Sequence, residues 1–380
     1  MSSPTAKTSA VTPRKTMRGH TDPLSNVAHL PDGQRIITSS WDGSLRLWDL
    51  ESGVQIGDEW RDQGVKAGVG TMALSPNGKT VASGNRDRTV RLWDIETGKV
   101  IAGWQGHTRA VESVCWSPNG KRVVSGSVDG TARVWDVKHV KSGEPVKGLN
   151  PIKTGDAVLW AVSYSPKATM VATGGFNRNV KIWDAIKYPV RYSDFQVLSI
   201  AVKDNLPARR KADHGIKIWD AKTGKLLNTV KLDGSVTSLA WTSDEKKLIS
   251  GLLNGLIRIF DTATWQQIAV LHGTSDVTSI TLFQNDRLLA STSYWDKTAR
   301  LWNLDTNLQV GSPIQHEDHV RCSAFSADGK LLSTGCVDKN AYVWDVQAIL
   351  KTAGLEDLLS IPDSVSVTHC LINNINPDII

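Results

Sequence analysis

Three short stretches carry side chains of kinds that can do chemistry. Gly78-Lys79-Thr80 ends like a phosphate-binding loop, in which backbone N–H groups cradle phosphates and the lysine reaches the outer ones. The first glycine of such a loop would fall at position 73, which is Ala73, and the triplet follows Ser75-Pro76-Asn77 in a strand-to-strand turn rather than opening a helix. His316-Glu317-Asp318-His319 sets four potential metal ligands in a row but lacks the i, i+4 histidine spacing of a helical zinc site. Gly126-Ser127-Val128-Asp129-Gly130 places a serine between glycines, yet not as the G-x-S-x-G of a nucleophile elbow. Cys115, Cys322, Cys336 and Cys370 show no CxxC spacing, which points to reduced thiols rather than a disulfide framework or zinc ribbon. The expectation is a non-enzymatic chain with no catalytic residues, no cofactor, no metal and no small-molecule substrate.

The elements that position these residues are betrayed by tryptophan. The 380 residues hold 15 Trp against 5 Phe and 5 Tyr, a skew that calls for a repeated, specified position. Eight segments end in an apolar residue, then Trp or Phe, then Asp or Asn, at Trp48, Trp93, Trp135, Trp183, Trp219, Phe260, Trp302 and Trp344. Seven residues before each closing Asp or Asn stands another: Asp42, Asp87, Asp129, Asn177, Asp213, Asn254, Asp296 and Asp338. Within the third unit Val111–Trp116 alternates, Ser117-Pro118-Asn119-Gly120 turns, Val123–Ser127 alternates, Asp129-Gly130 turns, and Thr131–Trp135 forms a further strand. Each unit therefore reads as a small four-stranded antiparallel sheet.

These residues resemble the WD-repeat β-propeller family, through Gly19-His20, Gly106-His107, the turns at Ser75 and Ser117, and the recurring terminal dipeptides over residues 12–347. The resemblance implies an all-β closed propeller. It also implies hydrogen-bonded tetrads, carried over as His20, Thr38, Asp42, Trp48; His107, Ser125, Asp129, Trp135; and His316, Thr334, Asp338, Trp344. A shifted set, His272, Ser291, Asp296 and Trp302, is expected in the seventh repeat. After Asp345 no outer strand follows, and residues 348–360 read as a short amphipathic helix, so Thr12–Arg18 is expected to complete the last blade. Residues 1–11 and 361–380 are assigned as a disordered and an irregular tail. The sequence Lys-Ile-Trp-Asp-Ala occurs at 181–185 and again at 217–221. Between them Pro207 and Arg209-Arg210-Lys211 fall where a buried strand belongs. The favoured reading is seven blades with an irregular insert at about 186–221; the alternative is eight blades, one of them poor.

The net charge of +6 gathers in two places, Lys7 to Arg18 and residues 187–215, which argues against a nucleic-acid face. No run of 18 apolar residues exists, and Met1 to Lys15 has no apolar signal core, so an intracellular protein, cytoplasmic or nuclear and off the membrane, is expected. The positions before each turn Asp or Asn, and those opening each inner strand, flank the channel mouth on the tetrad face. Trp41, Arg86, Glu112, Trp160, Phe176, Trp295 and Arg321 are singled out there as contacts for a protein or peptide partner, because Trp and Arg dominate binding hot spots. A scaffold that presents this face is the leading functional reading. Val123 to Lys138 also looks like the sixteen-residue box of cullin-RING ligase substrate receptors, which makes that role an alternative. A nucleic-acid-associated factor acting through the basic N-terminal tail is a second alternative.

Overall fold

Alternation of β-branched and small residues, cut by turn chemistry, fixes the local structure. At Ser117-Pro118-Asn119-Gly120 the Ser117 hydroxyl accepts the Arg122 N–H at 2.9 Å, and Asn119 Oδ1 accepts that of Lys121 at 3.1 Å. Gly120 then takes a φ of +65°, the left-handed conformation that costs glycine nothing. Gly78-Lys79-Thr80 sits in the same kind of turn, where Ser75 Oγ accepts the Thr80 N–H at 2.9 Å, so the lysine opens a hairpin strand and no helix follows.

The computed structural model describes residues 11–62, 67–137, 151–154, 157–168, 170–176, 180–184, 216–219, 226–230, 232–273 and 275–360. A first strand, β1 (Lys15–Arg18), precedes the sheets. Sheet one holds β2 (Leu24–His29), β3 (Arg35–Ser40), β4 (Leu45–Asp49) and β5 (Gln55–Trp60). Sheet two holds β6 (Val69–Leu74), β7 (Thr80–Asn85), β8 (Val90–Asp94) and β9 (Val100–Trp104). Sheet three holds β10 (Val111–Trp116), β11 (Arg122–Ser127), β12 (Thr131–Asp136) and β13 (Ile152–Lys153). Sheet four has five strands: β14 (Leu159–Tyr164), β15 (Met170–Gly175), β16 (Val180–Asp184), β17 (Ile216–Trp219) and β18 (Leu226–Val230). Sheet five holds β19 (Val236–Trp241), β20 (Lys247–Leu252), β21 (Leu256–Asp261) and β22 (Gln267–His272). Sheet six holds β23 (Ser279–Leu282), β24 (Leu288–Thr292), β25 (Thr298–Asn303) and β26 (Leu308–Gln315). Sheet seven holds β27 (Val320–Phe325), β28 (Leu331–Cys336) and β29 (Asn340–Asp345), with β1 as its outer strand, Lys15 opposite Val343 and Arg18 opposite Asn340.

The architecture is thus an all-β propeller of antiparallel sheets with very little helix. A four-stranded sheet cannot bury both its faces alone, so each packs on the next. Leu47 and Trp60 of sheet one meet Val81 and Trp93 of sheet two; Ala82 and Trp104 of sheet two meet Val123 and Trp135 of sheet three. Met17 of β1 and Cys322 and Val343 of sheet seven meet Leu24 and Trp48 of sheet one. Trp48, Trp93, Trp135, Phe260, Trp302 and Trp344 each pack against the sheet before their own, which is why that position repeats. After β29 comes α1 (Val346–Ala353), capped by the Asp345 carboxylate on the Ala348 N–H at 2.8 Å and ended by Gly354 at φ +68°. It gives way to a 3₁₀ turn at Glu356–Leu359.

The insert differs from the expectation. Ile216–Trp219, read as part of an irregular excursion, joins sheet four as β17, parallel to β16 through Lys181 and Lys217. β18 then pairs antiparallel with β17 instead of with β16. Because β17 repeats the local sequence of β16, it offers the same backbone ladder, and ladder bonds do not distinguish the copy from the original. Residues 185–215 and 220–225 lie outside the described residues, as do the expected tails at 1–10 and 361–380, the turn positions Asn177 and Asp213, Cys370, and Lys138 at the end of the box.

Candidate binding face

Two networks run from core to surface with one consistent direction of donation. In sheet one the Trp48 indole N–H donates to Thr38 Oγ1 at 2.8 Å, the Thr38 hydroxyl donates to His20 Nε2 at 2.7 Å, and His20 Nδ1 donates to Asp42 at 2.8 Å. In sheet three Trp135 donates to Ser125 at 2.8 Å, Ser125 to His107 Nε2 at 2.7 Å, and His107 Nδ1 to Asp129 at 3.0 Å. This assignment needs neutral imidazoles. Burial lowers the His20 pKa despite the opposing carboxylate of Asp42, so neutrality is the state the site favours. Burial also works against the charge on Asp42 and Asp129. Hydrogen bonds from the histidine, from Ser44 or Thr131, and from the Thr21 or Thr108 N–H outweigh it and hold both carboxyls well below the usual range.

The other sets depart from the sequence reading. In sheet seven Trp344 donates to Thr334 at 2.9 Å and Thr334 meets His316 Nε2 at 2.8 Å, but His316 Nδ1 donates to the Ile314 carbonyl at 3.2 Å, not to Asp338. The Tyr342 hydroxyl donates to Asp338 instead, and its ring lies edge-on to His316 at 5.6 Å. A phenol already in reach of the carboxylate displaces the imidazole. In the shifted set Trp302 donates to Ser291 at 2.9 Å and Asp296 holds Thr298, while His272 is exposed on the outer strand opposite Leu256. Sheet two makes do with Trp93 donating to Ser83 at 2.9 Å.

The turn aspartates mark the face on which the remaining candidates gather. Ser25, Gly70, Glu112, Trp160, Thr237, Thr278 and Arg321, each in or just before the inner strand of a different sheet, line one cavity of about 310 Å³. Around its mouth Trp295 is 69% exposed, Phe176 55% and Leu253 47%. All three immediately precede a turn Asp or Asn, on sheets six, four and five. Trp160 meets Phe176 edge-on at 5.9 Å. Trp41 is not open rim: the Arg86 guanidinium lies 4.0 Å from its ring centroid and that of Arg321 lies 4.3 Å away. Two further residues belong to this surface. Tyr294 stacks on His319 at 4.0 Å, and Trp295 meets His319 edge-on at 5.8 Å. The sequence hinted at Tyr294 only through its place beside Trp295, and at His319 only as a stray histidine of the His316–His319 run. Among the described residues no group of three or more His, Cys, Asp or Glu side chains is arranged to hold a metal ion.

The profile of the family described as "WD domain, G-beta repeat" matches residues 11–49, 62–94, 98–136, 149–184, 224–261, 265–303 and 309–345. The chain belongs to the WD-repeat family. The matched segments of this WD-repeat protein pass over 185–223, the stretch that also breaks the sequence pattern. Over 141 residues it is 28% identical to "Cell division cycle 20.1, cofactor of APC complex" of Arabidopsis thaliana, a match covering 35% of this chain and 30% of that protein. It is 28% identical over 189 residues to the "Guanine nucleotide-binding protein subunit beta" of the same plant, covering 43% of this chain and 49% of the relative. The chain therefore spans less than half the length of either relative. A chain in a crystal structure of the mitotic checkpoint complex superimposes with a TM-score of 0.68 at 19% identity, covering 91% of this chain and 95% of that one, a likeness of fold. No helix among the described residues is long and apolar enough to cross a membrane.

Proposed function

We propose that this WD-repeat chain is a closed seven-bladed ring serving as a non-enzymatic scaffold that holds a peptide or protein on the tetrad face. The ring is supported by the neighbour relations of the inner strands, which run β2, β6, β10, β14, β19, β23, β27 and back to β2. The seven matched repeats and the pairing of β1 with β29 support it too. On this reading residues 186–221 are an addition to the fourth blade rather than a blade.

One observation carries the binding role: Phe176, Leu253 and Trp295 are exposed at the same turn position on three successive sheets. Strand alternation does not demand large apolar groups there, and exposed large apolar groups recurring at one position around a ring suit an interaction surface. Trp41, Arg86, Glu112, Trp160 and Arg321 continue it round the mouth. The relatives' names, a cofactor of a complex and a subunit, are in keeping with an assembly role. The free thiols of Cys115, Cys322 and Cys336 support an intracellular setting, cytoplasmic or nuclear. The test is affinity capture from native lysate with wild type and the Phe176→Ala/Trp295→Ala double variant. Partners retained by the wild type should be lost from the variant while its melting curve stays unchanged; equal retention refutes the assignment.

A further inference from the structure

The two halves of the channel mouth differ in chemistry. Sheets four to six present Phe176, Leu253 and Trp295, whereas sheets seven, one and two bring Arg321, Trp41 and Arg86 together. Both guanidiniums lie within 4.3 Å of one indole, so two like charges are held close to one another. Several other arginines are matched with carboxylates: Arg46 with Glu59, Arg91 with Asp62 and Asp87, Arg258 with Asp233, Arg287 with Asp305 and Asp357. Among the described residues neither Arg86 nor Arg321 has such a partner. Glu112 is the one acidic residue lining the cavity; its charge favours that of Arg321 from a distance, without an ion-pair contact to either arginine. A guanidinium stacked by its face on an aromatic ring keeps its N–H edge free for the bidentate geometry that suits a carboxylate. The cavity hydroxyls do not compete for this role: Thr237 and Thr278 donate to backbone carbonyls, and Ser25 is bonded to Ser39.

We propose that the face selects an extended peptide whose Asp or Glu side chain is seated on the guanidiniums of Arg86 and Arg321 beside Trp41, with its apolar neighbours laid on the arc of Phe176, Leu253 and Trp295. This rests on the reading of the face as a protein-binding surface. A peptide is the occupant because the cationic pair and the apolar arc face one opening, and a free small anion would use only the first. Glu112 sharpens the choice, since its charge repels an acidic group placed too deep in the channel.

The test uses the full chain and labelled synthetic peptides, read by fluorescence anisotropy. Each peptide carries a central Asp or Glu flanked by Leu, Phe and Trp, and is compared with the same sequence bearing Asn or Gln, or phosphoserine, at the centre. On wild type the acidic peptides should bind about tenfold tighter than their amide counterparts, the worth of one charge-assisted hydrogen bond. Arg86→Gln should erase that preference; because Arg86 is exposed, this variant leaves the fold untouched. Arg321→Gln should do the same, and Glu112→Gln should tighten the acidic peptides alone. Equal binding of acid and amide, with both weakened by Trp295→Ala, overturns this proposal and leaves the binding face standing. Retention of the phosphoserine peptide without the Asp or Glu ones overturns the carboxylate assignment. No retention of any peptide overturns both.

Discussion

Ser125→Ala and Ser83→Ala make the same chemical change in adjacent sheets, at two side chains that are both fully buried. Ser125 Oγ is held at 2.8 Å by the Trp135 indole and at 2.7 Å by His107, so its removal leaves two buried groups without partners. Ser83 Oγ is held at 2.9 Å by Trp93, and its only other side-chain neighbour is Asn85, at 3.3 Å or more. An orphaned buried polar group costs about 1–3 kcal/mol. Ser125→Ala is therefore expected to lower stability by about 2–6 kcal/mol and Ser83→Ala by about 1–3 kcal/mol. The lost hydroxyl volume is common to both and cancels in the comparison. Urea unfolding followed by tryptophan fluorescence and by far-ultraviolet circular dichroism gives the two midpoints. Exchange of the Trp135 indole proton should quicken in Ser125→Ala, because its acceptor is gone. A Ser83→Ala penalty equal to or larger than that of Ser125→Ala would refute the claim that the histidine link adds to the anchor.

Three further outcomes are expected. His29 is buried beside Ser333 and titrates at about 4 in the fold, against 6.5 when unfolded, because burial disfavours its charged form. Its neutral form is preferred by the fold, so this part of the stability is intact above pH 6.5 and falls away between pH 6.5 and about 4, by about 3 kcal/mol in all; His29→Leu should flatten that part of a urea-midpoint series against pH. Trp135→Ala removes an indole stacked 5.6 Å from Trp104 between two sheets and should cost about 3–5 kcal/mol in the same unfolding assay. Deleting residues 1–19 removes β1 with the buried Met17 and should sharply lower the cooperative melt, which an unchanged calorimetric transition would contradict.

The repeat was legible because its anchor is periodic: a closing Trp or Phe at one register and an Asp or Asn at a fixed offset recur in eight segments of the sequence, so the copies speak together. Strand order within a sheet followed from the turns. Partner choice did not follow. Tyr342 stands two residues before Trp344, where Arg46 stands before Trp48, and sequence alone does not say that a phenol there will reach Asp338 ahead of His316. His272 has the right residue type but falls on an outer strand, where its side chain faces water. Five strands in sheet four were hidden for a related reason, since a duplicated segment can be left outside or admitted to the ladder, and its pattern is the same either way. At the mouth, Trp41 was read as open because alternation does not bury it; only the folded chain brings Arg86 and Arg321 from two other sheets onto its ring.

The pairing of Lys15 with Val343 has a consequence in time. β1 leaves the ribosome well before its partner, which lies more than 300 residues further along the chain. At about 5–20 residues per second, tens of seconds pass between the two. Through that interval Met17 has no sheet to lie on, and the flank of sheet one formed by Leu24 and Trp48 lacks its cover from sheet seven. The nascent chain is therefore sticky at one known place for a predictable period, and that is where a chaperone has work to do until residue 345 emerges.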